Sequence, residues 1–368
     1  MGTAVSTAVS TAVSTAMARL AQQLGATVSQ PWTLMEVCGG QTHAIVRSGL
    51  DQLLPPGLRL IHGPGCPVCV TPAATIDAAL GLAARPGLIL CSYGDMLRVP
   101  GSNPAAGDLL QQRAAGGDVR LLTSPLQAIA LAKAHPERQV VFLAVGFETT
   151  APATALLARQ ALALQLNNLS LLLAHVRVPP AMEAIITAPG NQVQGFLAAG
   201  HVCSVMGISE LQLLARQHQL PVVVTGFEPL ELMQGLLHCV QLLEAGTPRV
   251  VNAYGRVVRD GGNPAAQALV QEVFELVAQT WRGLGTLPAS GLALRPPYHQ
   301  LDARRRFQLG QTSEGEPGNP CISGLILQGQ KNPVDCPAFG KRCRPEHPLG
   351  APMVSSEGAC AAYHHYRP

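Results

Sequence analysis

The chain has 368 residues, 47% of them apolar, and a formal net charge of +3, enough for two or three domains with cores of their own. So small a charge, with lysine at only Lys133, Lys331 and Lys341, gives no support to a nucleic-acid or other polyanionic partner. No uncharged apolar run approaches the ~20 residues of a membrane-spanning helix, and aromatics make up 4%, so aliphatic side chains must fill the interior.

Residues 1–16 repeat the unit TAVS with no basic segment before Arg19 and no solid apolar stretch. That is not the pattern of a signal peptide; a flexible low-complexity or frayed-helix extension is expected, with ordered structure from Met17. Without export the protein is expected in the cytoplasm. Its ten cysteines then read as metal ligands or redox thiols rather than structural disulfides.

Residues 17–30 read as helix, and Glu36 to His43 as a loop. Apolar runs of strand length follow at 58–63, 87–94, 119–124, 140–147, 169–176, 193–200, 222–227 and 249–255. Ala/Leu-rich stretches such as 73–84, 153–166 and 209–219 suit helices. Continuous apolar strands alternating with helices predict parallel sheets covered on both faces, an α/β fold. A partial internal echo, LRLIHGPGCPVCV…GLILCSYGDM against GFLAAGHVCSVM…PVVVTGFEPL, suggests two similar α/β domains. Past about residue 285 strand-like runs stop. The tail from Pro317 is loop-rich, carries four cysteines, and needs a metal, a cluster or docking to hold its shape. The expected organisation is 1–16 extension, 17–57 N-terminal helix and Cys38 loop packing with the third domain, 58–138 first α/β domain, 139–284 second, and 285–368 the cysteine-bearing C-terminal domain.

The chemistry concentrates in thiols. Cys38 precedes Gly39 and Gly40, whose missing Cβ permits a sharp turn and close approach of a ligand, and His43 follows five residues on. A thiolate near an imidazole is a nucleophile or a soft-metal ligand; a chance neighbour is the alternative. Cys66-Pro-Val-Cys69 has redox spacing, and Thr71-Pro72 before AATIDAALGLAA marks a helix start with proline at N1, which favours a reactive thiolate. Inert thiols in a tight turn are the other reading. Cys91, Cys203 and Cys239 sit in or beside apolar runs as small core residues. Cys321, Cys336, Cys343 and Cys360 suit an iron–sulfur cluster or a structural zinc, or remain uncoordinated; their spacing is not that of a zinc ribbon. GFETTAPAT ends a strand and opens a helix. Its Glu148, Thr149 and Thr150 offer either an anion or partner-loop site or a capped connection, without the lysine of a Walker loop. Glu228 and His201 also follow strands, where open α/β sheets place their sites.

Taken together, EVCGGQTHAI, GPGCPVCVTP, SYGDMLRVPGS, GFETTAPATA, VPPAM, GFLAAGHV, PVVVTGFEPLELMQG, WRGLG, DCPAFGKRC and MVSSEGACAAY resemble the HypD family of [NiFe]-hydrogenase maturation factors, in family order from about residue 30 onward. The resemblance implies an assembly scaffold of two similar α/β domains and a third bearing a [4Fe–4S] cluster. It implies a HypC-type chaperone as partner, and iron that receives cyanide from HypE together with carbon monoxide. The finished Fe(CN)2CO unit passes to the hydrogenase large-subunit precursor. By motif, Cys38 holds the nascent iron with the chaperone's N-terminal cysteine, His43 lies beside it, and Cys66 and Cys69 act in redox steps or near the iron. Ser323 and Pro352 stand where many members carry cysteine. If a four-cysteine cluster forms, its ligands are therefore Cys321, Cys336, Cys343 and Cys360. A thiol–disulfide or iron–sulfur oxidoreductase acting on a free substrate is the rival reading, and a metal-stabilised binding module a second.

Overall fold

The structure, a computed structural model, describes residues 2–103, 106–310 and 320–367, with the backbone alone for 2–12. Pro317, the expected start of the cysteine tail, lies outside the described residues.

Helix α1 (Gly2–Thr27) begins well before Met17, because alanine-rich repeats favour helix over coil. Its inner part packs Met17, Leu20 and Leu24 on helix Pro229–Glu244. The chain then enters strand β1 (Trp32–Glu36) and helix α2 (Gly39–Ser48). The expected loop from Glu36 to His43 is thus a strand end, a cap at Cys38 and the first turns of a helix. Strand β2 (Leu58–His62) leads to a single helical turn, α3 (Pro67–Val70), and to α4 (Ala73–Ala83). Pro72 is the cap of α4 rather than its first residue, and Pro67 opens α3.

The remaining strands are β3 (Leu88–Ser92), β4 (Asp118–Leu121), β5 (Gln139–Gly146), β6 (Leu169–His175), β7 (Gly195–Ala199), β8 (Val222–Thr225), β9 (Val250–Asn252), β10 (Phe274–Trp281) and β11 (Gly285–Leu294). Among the described residues they form two parallel sheets, ordered β2-β1-β7-β8-β9 and β4-β3-β5-β6, and an antiparallel ribbon β10-β11. All eight apolar runs are strands. β3 and β7 are buried at every position, as strands covered on both faces must be.

Counted in chain order within each sheet, both sheets read 2-1-3-4 from one edge, and the larger adds a fifth strand. The expected likeness of two α/β units therefore holds in topology. Sheet membership nevertheless crosses the boundary drawn at residue 138: β2 joins the sheet of β7–β9, and β5 joins β3. The two halves of the apparent sequence echo do not correspond, since β2 and β3 belong to different sheets.

β11 contradicts the expectation that strand structure stops near 285. Pro288 inside β11 masks the strand. The structure accommodates it with a register shift opposite Val277 and Gln279 and a positive φ at Ala289. The ribbon's tip, WRGLG, is wedged into the body: Trp281 is fully buried against Phe147. Among the described residues no helix is long and apolar enough to cross a membrane.

Candidate functional site

In open parallel sheets, ligands sit beyond the carboxyl ends of strands where the strand order reverses. Here those points lie between β1 and β7 in one sheet and between β3 and β5 in the other. Both open on one cleft of ≈ 440 Å³. Its wall takes Cys38 from after β1, Gly65 and Pro67 from after β2, Tyr93 and Asp95 from after β3, Thr149 and Thr150 from after β5, and His201 from after β7. Ser355, Ser356 and Glu357 of the C-terminal segment close one side.

Cys38 caps α2 in an extended conformation (φ −146°, ψ 119°). Burial pushes its thiol up to about 12; the amides of Gln41 and Gly40 pull it down, and the carboxylates of Glu36 and Glu357 oppose them. It is therefore a neutral thiol at pH 7 until a cation arrives to stabilise the thiolate. Glycine at 39 and 65 serves packing rather than ligand approach. A Cβ on Gly39 would lie 2.5 Å from that of Glu357, and one on Gly65 would lie 2.2 Å from the Cys38 nitrogen. The Gly39 N–H donates to the Gly65 carbonyl at 2.8 Å, joining the two thiol-bearing loops.

Cys66 caps α3, its sulfur accepts the Cys69 N–H at 3.2 Å, and the two cysteines form a disulfide in place of the expected dithiol. They are 3% and 0% exposed. Arg282 at the ribbon tip holds this turn: its backbone N–H donates to Val70 (2.8 Å) and its guanidinium to the carbonyls of Thr71 (2.9 Å) and Pro100 (3.2 Å).

The other candidates divide. His201 lines the cleft, stacked on Phe227 with ring centroids 3.9 Å apart, and burial lowers its pKa. Thr149 and Thr150 face the cleft at the start of helix Ala151–Ala163, whereas Glu148 points away from it. Glu148 accepts the Val178 N–H at 3.0 Å inside a small apolar pocket, and burial raises its pKa to about 7. Glu228 is exposed and caps helix Pro229–Glu244 in a reciprocal arrangement with Glu231. His43 rides on α2 outside the cleft lining, with Nδ1 at 3.1 Å from the Ser356 carbonyl and Nε2 at 3.3 Å from the Tyr366 hydroxyl.

Cys321, Cys336, Cys343 and Cys360 line one pocket with Ile322, Ile326, Phe339, Leu349 and Met353. Burial raises the Cys343 and Cys360 thiols, and the neighbouring sulfurs raise them further. Ser323 and Pro352, the positions where the resemblance led one to look for cysteine, stand in the same wall. Among the described residues no three His, Cys, Asp or Glu side chains are grouped so as to hold a single metal ion.

Motif reading missed Glu36, His62, Asp95 and Glu357. The first two end strands, the same signal that drew attention to Glu148. Asp95 follows β3, whereas Glu357 comes on the tail, which returns to the cleft from far along the chain; Asp95 accepts the Ser355 hydroxyl at 2.7 Å.

Comparison with known proteins gives the family. Residues 12–367 match the family model HypD, described as "Hydrogenase formation hypA family". The chain is 48% identical to the hydrogenase maturation factor HypD of Azotobacter vinelandii, covering 94% of each chain. It is 46% identical to that of Rhodobacter capsulatus, over 95% of this chain and 93% of the other. Against the HypD of Escherichia coli K12 it is 44% identical, over 94% and 92%. Matched over nearly its whole length, the chain belongs to the HypD family of hydrogenase maturation factors.

Proposed function

We propose that the chain is the scaffold on which the iron centre of a [NiFe]-hydrogenase is assembled in the cytoplasm. Iron, as substrate, is held at Cys38 together with a HypC-type chaperone. Cyanide delivered by HypE and carbon monoxide are added, and the Fe(CN)2CO unit passes through the chaperone to the large-subunit precursor. The observation that carries this reading is the position of Cys38, a partly buried thiol where the switch points of both sheets open on one cleft. A thiolate is a soft donor suited to low-spin iron with strong-field ligands, and the Cys66–Cys69 pair lies directly beside it through Gly65.

The tail fits a [4Fe–4S] cluster held by Cys321, Cys336, Cys343 and Cys360. Four sulfurs sharing an apolar pocket repel one another as thiolates, and the positive charge of iron compensates. When bound, such a cluster supplies one-electron transfer. The rival, a thiol–disulfide oxidoreductase for a free substrate, needs a sulfur that the substrate can reach, and the burial of Cys66 and Cys69 counts against it.

The test is an infrared spectrum of the protein purified without oxygen with its co-purifying chaperone. Bands of metal-bound cyanide and carbon monoxide are expected in the wild type and lost in Cys38→Ala, whose circular dichroism stays unchanged. Bands that persist in Cys38→Ala overturn the assignment.

A further inference from the structure

Three side chains besides the cysteines connect Cys38 to the helix that carries Cys360. Glu36 and His62 end the neighbouring parallel strands β1 and β2 and stand opposite each other in the register. They are 0% and 4% exposed. Glu36 Oε2 accepts the Cys38 N–H at 2.8 Å, while Oε1 accepts the Thr42 hydroxyl and lies 2.7 Å from His62 Nδ1. His62 Nε2 lies 3.2 Å from the hydroxyl of Tyr363, and the two rings meet edge to face. Tyr363 sits one turn beyond Cys360 on the C-terminal helix Ala359–Tyr366.

A carboxylate oxygen of Glu36 accepts, so His62 donates through Nδ1–H; a neutral imidazole then accepts the Tyr363 hydroxyl at Nε2, while an imidazolium donates Nε2–H to the Tyr363 oxygen, so the three side chains are bonded in series in either form. The chain of bonds runs from the C-terminal helix through β2 to β1 and ends on the Cys38 peptide. The central pair, Glu36 and His62, is buried, and Tyr363 is half-buried.

We propose that Glu36, His62 and Tyr363 are positioning residues that fix Cys38 in the cleft only when the C-terminal helix is seated. The state of the four-cysteine tail is thereby transmitted to the thiol that holds iron. The inference rests on the reading of Cys38 given above; its own content is the coupling, which is measurable without iron.

The assay is alkylation of Cys38 by iodoacetamide in the full chain. It is quantified by mass spectrometry of the Cys38 peptide, with Cys91, fully buried in the other sheet, as internal control. Tyr363→Phe removes one hydroxyl and is expected to raise Cys38 alkylation about five- to tenfold with Cys91 unchanged. His62→Asn keeps a donor toward Glu36 but cannot reach Tyr363, so it should match Tyr363→Phe. His62→Phe loses both contacts and should exceed them. Wild-type alkylation of Cys38 in Tyr363→Phe, or an equal rise at Cys91, overturns the coupling. The scaffold reading fails separately, if Cys38→Ala keeps its cyanide and carbon monoxide bands.

Discussion

Replacing Gly65 by alanine tests how the two thiol loops are joined. An added Cβ would stand 2.2 Å from the Cys38 nitrogen and 2.4 Å from its Cα. These are backbone atoms that cannot rotate aside, so one loop must retreat by about 1 Å to reach ordinary contact. Overpacking of this kind costs about 1–3 kcal/mol. Loss of the 2.8 Å Gly39–Gly65 hydrogen bond adds about 1 kcal/mol. A destabilisation of about 2–4 kcal/mol should lower the melting temperature by several degrees. The same displacement moves Cys38 off the cleft, so the infrared bands of the iron unit should weaken even at temperatures where the variant is folded. Gly81 in α4 is the control: nothing lies within 4 Å of its added Cβ, and Gly81→Ala should be neutral or stabilising by up to about 1 kcal/mol. A Gly65→Ala protein that melts with the wild type and retains full-strength bands would refute the argument that backbone contact at Gly65 sets the position of Cys38.

Glu148 predicts a pH dependence of stability. Its folded pKa, about 7 through burial, lies above the unfolded value, so the native state keeps the proton longer. The stabilisation is complete below about pH 4.5 and is lost as pH rises through 7, by up to about 3 kcal/mol. Glu148→Gln imitates the protonated acid and keeps an acceptor for the Val178 N–H, so its urea midpoint should exceed that of the wild type at pH 8 and match it at about pH 4; parallel midpoints across that range count against the reasoning. Arg282→Met removes the guanidinium bonds to Thr71 and Pro100, about 2–4 kcal/mol of support for the turn after Cys69. Dithiothreitol should then reduce the Cys66–Cys69 disulfide at least about fivefold faster, and an unchanged rate would show that the ribbon tip does not hold that turn.

What the amino-acid order reveals and what it conceals divide along physical lines. Parallel strands buried on both faces must be apolar throughout, so β5 and β8 stand out in the sequence. β1 did not, because its outer residues Trp32 and Thr33 are only half buried and its last residue is the charged Glu36. β11 was hidden by a proline that only a bulged two-stranded ribbon tolerates. Sheet membership is not written in any local pattern: β2 and β3 look alike as strings, and only the crossover geometry sends one beside β1 and the other beside β5. The thiols were legible because cysteine beside glycine and proline is locally distinctive. Their holders were not, since Tyr363 meets His62 across 301 positions and Ser355 meets Asp95 across 260. Such contacts have no sequence period, and they come into being only when the tail folds back over the cleft. The division has a chemical consequence. The residues that react can be found as motifs, but the burial that pushes the Cys38 thiol up to about 12, and so leaves it waiting for a cation, is a property of the closed assembly of α2, the Gly65 loop and the returning tail.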